Sequence, residues 1–78
     1  MKELLEYIAK SLVSNPDEVS VTEITTDSGR SITLELRVAS EDMGKVIGRQ
    51  GKIARTIRTI MKAAAIKENT RVQVEIVQ

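Results

Sequence analysis

Two glycines three residues apart, Gly48 and Gly51, bracket Arg49 and Gln50 directly before an amphipathic segment that opens at Lys52. Glycine lets the backbone turn tightly and lets a ligand approach the main chain with no Cβ in the way. A helix beginning at this point offers free N–H groups and a positive dipole end, which together attract phosphate. Arg49 and Lys52 bring mobile positive charge to the same place. The chemistry these residue types support is therefore binding of a phosphate backbone, a contact that positions a strand without reading its sequence. A plain helix-turn-helix corner also contains glycine, so the quartet must be weighed in its setting.

Other phosphate motifs do not fit. A P-loop ending at Gly51-Lys52 needs glycine where Val46 stands and serine or threonine where Ile53 stands. The dinucleotide fingerprint starting at Gly48 needs glycines where Gln50 and Ile53 stand. Cysteine and histidine are both absent. That excludes disulfides, thiol nucleophiles, Cys/His zinc sites and the usual neutral-pH proton carrier. Acidic residues such as Asp27, Glu35 and Glu75 fall on expected turns or outward strand faces, with no partner completing a catalytic constellation. No catalytic residue, metal ligand or cofactor is expected, which points to a binding module rather than an enzyme.

Charge localises the site further. Seven cations and no anion lie between Met43 and Lys67: Lys45, Arg49, Lys52, Arg55, Arg58, Lys62 and Lys67. The whole chain carries twelve cations against eleven anions, so the remainder of the molecule has a net charge of −6. An acidic body with one basic segment fits a localised polyanion site, and a solvated helix face would show the same pattern.

The elements that must position these residues follow from periodicity. With 78 residues, 41% hydrophobic and 29% charged, the chain makes one folded domain over 1–78 rather than a disordered tail. Leu4, Leu5, Ile8, Ala9, Leu12 and Val13 form one helical stripe, ending at Ser14 or Asn15 because Pro16 disfavours helix before it. The same stretch lacks the uninterrupted apolar run of a signal peptide or membrane span, so a cytoplasmic protein without membrane attachment is expected. Val19 to Thr26 and the alternating Ile32, Leu34, Leu36 and Val38 read as two strands, joined by turn chemistry at Asp27-Ser28-Gly29-Arg30. Glu23 falls on the face of Val19 and Val21 while Ile24 points away, so a bulge or an early edge is expected in the first strand. Ser40 is the expected N-cap of a short helix through about Ile47, with Glu41 and Asp42 complementing its positive end. A longer helix follows from Lys52 to about Ile66, with Ile53, Ile57, Ile60, Met61 and Ala64 facing the core and Lys52, Arg55, Arg58, Thr59 and Lys62 opposite. Arg58 and Lys62, beyond the phosphate end of that helix, read as solvated, and Gly44 as a local irregularity. Val72, Val74 and Ile76 alternate in a last strand, giving the order αββααβ with helices on one face of a three-stranded sheet.

The quartet thus falls between two helices inside a β-α-α-β string, flanked by Val46-Ile47 before and Lys52-Ile53 after. Val46-Ile47-Gly48-Arg49-Gln50-Gly51-Lys52-Ile53 resembles the KH domain family, whose hallmark is Val-Ile-Gly-x-x-Gly followed closely by an isoleucine, here Ile53, two residues after Gly51. The element order is similar to its type II, prokaryotic arrangement over essentially the whole chain. That resemblance implies an α+β domain with a mixed three-stranded sheet and three helices on one face, and a groove in which the glycine loop clamps about four nucleotides of single-stranded RNA. By the same resemblance Gly48, Arg49, Gln50 and Gly51 contact the sugar-phosphate backbone, with Val46 and Ile53 under the bases. Charge and helical projection add Lys45, Lys52 and Arg55.

Aromatic stacking is not the expected device, since the chain has no Phe or Trp and its sole aromatic, Tyr7, lies on the first helix. The closer resemblance to the short stand-alone KH proteins of bacteria implies self-association as a homodimer, or pairing with a second KH protein of the Jag/KhpB type. It also implies a role in post-transcriptional regulation or RNA chaperoning, with effects on cell elongation and division. A module kept for protein contact, with RNA binding secondary, is the alternative expectation.

Overall fold

The computed structural model describes residues 1–77, the side chain of Arg49 excepted. Helix α1 spans Lys2–Leu12, strand β1 Ser20–Thr26, strand β2 Ser31–Arg37, helix α2 Ser40–Lys67 and strand β3 Arg71–Val77. Left-handed φ angles at Gln50 and Gly51 interrupt α2 and divide it into two arms, so three helical rods stand among the described residues. The α+β order αββααβ expected from periodicity is the order observed.

The sheet runs β1-β2-β3, with β1 antiparallel and β3 parallel to the central strand. A parallel pair cannot be joined by a tight turn, and α2 is the long crossover that this geometry demands. The β1–β2 register is unbroken from Ser20↔Arg37 to Thr26↔Ser31. The irregular pattern of β1 therefore marks an edge strand and not a bulge: Val21 is buried, whereas Glu23 and Ile24 are both exposed. Asp27, Ser28 and Gly29 all take positive φ in the connecting turn, which Arg30 N–H closes by donating to the Asp27 carbonyl at 3.0 Å.

Leu34 and Leu36 of the central strand are completely buried and meet Val21, Val74, Leu5, Ala9, Val46, Ile57 and Met61 on the helical side. Each such leucine contributes about 1.5–3 kcal/mol relative to an exposed one. The buried line of the second arm of α2 is Ala54, Ile57, Met61 and Ala65, rotated slightly from the expected one. Ile60 remains 39% exposed. Among the described residues no helix is long and apolar enough to cross a membrane.

Two ends of helices depart from local rules for one reason. Ser40 is the first helical residue, Ala39 occupies the N-cap position, and no side chain caps the helix. The Asp42 carboxylate, expected to complement the dipole, instead accepts the backbone N–H groups of Ser14 and Asn15, each at 3.0 Å. Those two residues are thereby held out of α1, which ends at Leu12. At the other end of α2, Asn69 adopts φ 57°, Thr70 N–H donates to the Ala65 carbonyl at 2.9 Å and Asn69 N–H to Ile66 at 3.1 Å. This is a Schellman closure with asparagine in the left-handed position usually taken by glycine.

Candidate nucleic-acid interface

The break in α2 comes from two consecutive left-handed residues, Gln50 at φ 63° and Gly51 at φ 68°. Glycine accepts this conformation freely, whereas a residue with a Cβ spends about 1–2 kcal/mol on it. Beside the turn lies a groove of about 520 Å³ lined by Gly44, Lys45, Gly48, Lys52 and Ile53.

Gly48 carries the clearest chemical message. Its φ is not in the left-handed region, so the backbone does not require glycine there. A Cβ built at Gly48 meets nothing within 4 Å, and the same holds at Gly44. Packing does not require glycine at either position, although glycine in a helix is about 1 kcal/mol less favourable than alanine. What the two glycines create is bare, accessible backbone on the groove wall. Their spacing of four places them on one helix face.

Lysine charge is set around this wall by the same clamp that ended α1. Lys45 Nζ donates to Ser14 Oγ at 2.9 Å, next to the two main-chain bonds to Asp42. Asn15 Nδ2 adds a third bond to the Asp42 carboxylate at 3.2 Å. Asp42 is almost fully buried, and its pKa is held below the ordinary carboxylate range. The largest cause is the Ser14 N–H; burial opposes it, and the Asn15 side chain, the Asn15 N–H and the charge of Lys45 reinforce it. The first arm of α2 is thus pinned to the segment after α1 at the turn that carries Lys45 into the groove.

Lys45, Gly48, Lys52 and Ile53 come together on the groove wall. Gln50 is exposed at the turn and Gly51 half-buried beneath it, and Arg55 is exposed on the second arm. Val46 is 1% exposed and belongs to the core, apart from the groove lining. The side chain of Arg49 lies outside the described residues. Gly44 joins the site although sequence reasoning set it aside; its spacing of four from Gly48 was the available signal. Arg58, expected to be solvated, donates from Nε to the Val74 carbonyl on the free edge of β3 at 3.3 Å. With Lys62 it lines a second groove, about 530 Å³, along Val72–Ile76. Lys52, Arg55, Arg58 and Lys62, at spacings of three, three and four, form the basic stripe that connects the glycine turn to this edge. Among the described residues, no three Asp or Glu side chains gather as a metal-ligand group.

A helix, an antiparallel hairpin, a glycine-turned helical pair and a final strand parallel to the central one define a type II KH domain. Residues 2–76 match the family model described as KhpA/KhpB, KH domain, and the chain belongs to that family. It is 68% identical over 77 residues to a protein named RNA-binding protein KhpA in Clostridium acetobutylicum, covering 99% of this chain and 100% of that one. A protein of the same name in Clostridium perfringens is 62% identical over 77 residues, again 99% of this chain and 100% of the relative. The one in Listeria monocytogenes is 44% identical over the full length of both chains. Among solved structures, the fold is similar to part of Era in complex with MgGDPNP and nucleotides 1506–1542 of 16S ribosomal RNA. The TM-score is 0.64 at 16% identity, covering 97% of this chain and 30% of that one.

Proposed function

We propose that this chain is a non-catalytic RNA-binding protein that holds a short single-stranded RNA by its backbone. Gly48, Arg49, Gln50 and Gly51 form the clamp, Lys45 and Lys52 supply charge, Ile53 an apolar wall, and Arg55 the next cationic contact along the second arm. Val46 supports that wall from the core. The observation that carries this reading is Gly48: neither backbone angle nor packing calls for glycine there, and it lines a groove between two lysines. Relatives covering the whole chain are named RNA-binding protein KhpA, which supports the same reading. Bases are held by van der Waals contact and edge hydrogen bonds, and affinity falls with salt by about 0.7 log unit per log unit for each phosphate neutralised.

Gly48→Ala separates this role from a structural one. The substitution is expected to leave stability unchanged or raise it by about 0.5–1 kcal/mol, because alanine is the better helix former. Fluorescence anisotropy with short single-stranded RNA is expected to show about tenfold weaker binding, the loss of about 1.4 kcal/mol of backbone contact. A variant that is no less stable and binds as well as wild type would remove Gly48 from the interface.

A second reading, self-association or pairing with a KH protein of the Jag/KhpB type, draws support from exposed apolar side chains on α1. Leu4 is 38% and Tyr7 73% exposed, one turn apart. Joining two weak RNA sites in one particle raises avidity without new contacts, so this assembly complements RNA binding. On both readings the protein works in the cytoplasm, as a post-transcriptional regulator or RNA chaperone.

A further inference from the structure

The second groove shares lining residues with a neighbouring cavity. Lys62 and Val72 belong both to it and to a trough lined further by Ala65, Ile66, Thr70 and Arg71. Ile66, Thr70 and Arg71 in turn line a cavity of about 580 Å³ that reaches Arg30 and Asp27 at the β1–β2 turn. A row of neighbouring cavities that share lining residues therefore runs from the second arm of α2, past its Schellman closure, to the hairpin end of the sheet. Its cations in order are Arg58, Lys62, Arg71 and Arg30; Glu75 and Asp27 are its carboxylates.

The far end is built rather than incidental. Arg71 N–H donates to the Arg30 carbonyl at 2.8 Å, which fixes the two arginine backbones side by side. Both side chains are exposed and have no hydrogen-bond or ion-pair partner among the described residues. Between them and the helix stands Ile66, 70% exposed, an apolar surface framed by two unengaged guanidinium groups. Guanidinium donors in a fork match phosphate oxygens, and an aliphatic face accepts the flat side of a base.

We propose that the RNA footprint extends beyond the glycine clamp into this trough, with a base seated on Ile66 and flanking phosphates held by Arg30 and Arg71. The extension rests on the clamp reading, since it takes the strand that the clamp delivers. It assigns the hairpin end a role in RNA length preference, while the clamp alone handles about four nucleotides.

The test uses the full chain and two fluorescent single-stranded RNAs, one of about four and one of about ten nucleotides. Anisotropy is measured over a salt series for wild type and for the double substitution Arg30→Gln and Arg71→Gln. For wild type the longer RNA is expected to bind about tenfold more tightly, with a salt slope steeper by about 1.4, or 0.7 for each of two phosphates. In the double variant that increment in affinity and slope is expected to vanish while binding of the short RNA is unchanged. An undiminished increment in the variant overturns the extension alone. Failure of wild type to bind the short RNA overturns the clamp and the extension with it.

Discussion

Replacing Arg49 and Gln50 together by aspartate is expected to weaken binding of short single-stranded RNA by about 100-fold at low salt. The change moves the loop from one positive charge to two negative ones, a difference of three units facing a phosphate. At a separation of about 4 Å in water each unit interaction amounts to about 1 kcal/mol, so the expected loss is about 3 kcal/mol. Screening shortens the reach of these charges, and the deficit is expected to shrink as salt rises toward 1 M. The fold should survive. Gln50 already occupies a left-handed conformation, and aspartate tolerates that region better than glutamine does. Anisotropy titrations paired with circular dichroism decide the matter: an intact spectrum with affinity within about threefold of wild type would show that RNA does not contact the loop.

This variant and Gly48→Ala probe different parts of one device. Charge reversal acts through the field at the turn, whereas the added methyl acts by occupying space that the groove leaves open. The first effect is salt-dependent and the second is not, so the pair distinguishes electrostatic capture from close backbone approach.

The sequence was most legible where one periodicity served one buried face. Ile32, Leu34 and Leu36 alternate because β2 is the central strand, and the glycine quartet announces a turn because Gly51 takes a conformation that favours glycine. Legibility fell where a residue answered to a distant partner. Ser40 satisfies every local rule for a cap, yet Asp42 takes the structural role through bonds to residues 27 and 28 positions away. Arg58 is exposed, as its place on the helix implies, yet its bond to Val74 was not legible, because the parallel β2–β3 pairing is what brings that edge carbonyl within its reach. Val46, in the hallmark beside Ile47, turned inward to the core while Ile47 is 52% exposed. The slight rotation of the buried line on the second arm, to Ala54, Ile57, Met61 and Ala65, does not follow from spacing alone, because it depends on how α2 docks against the sheet.

Asp42→Ala is expected to lower Tm by on the order of 10 °C, a large shift for a domain of this size. The carboxylate gathers two backbone N–H groups and one amide in a buried position, and removing it leaves those donors without their acceptor. Asp42→Asn, nearly the same shape but uncharged, isolates the electrostatic part. Because the folded state holds the Asp42 pKa below its ordinary value, ionised Asp42 stabilises the protein above the ordinary carboxylate range. That contribution is lost as pH falls through that range toward the lowered folded value. The Tm gap between wild type and Asp42→Asn is therefore expected to be widest near neutral pH and to narrow below about pH 4. Comparing the two proteins at each pH cancels the titration of the carboxylates they share. A gap that stays constant from neutral to strongly acidic pH would mean that charge at Asp42 contributes nothing and that shape alone holds the clamp. A narrowing gap, together with weaker RNA binding by Asp42→Ala at a temperature where it remains folded, would tie the same buried carboxylate to the placement of Lys45 in the groove.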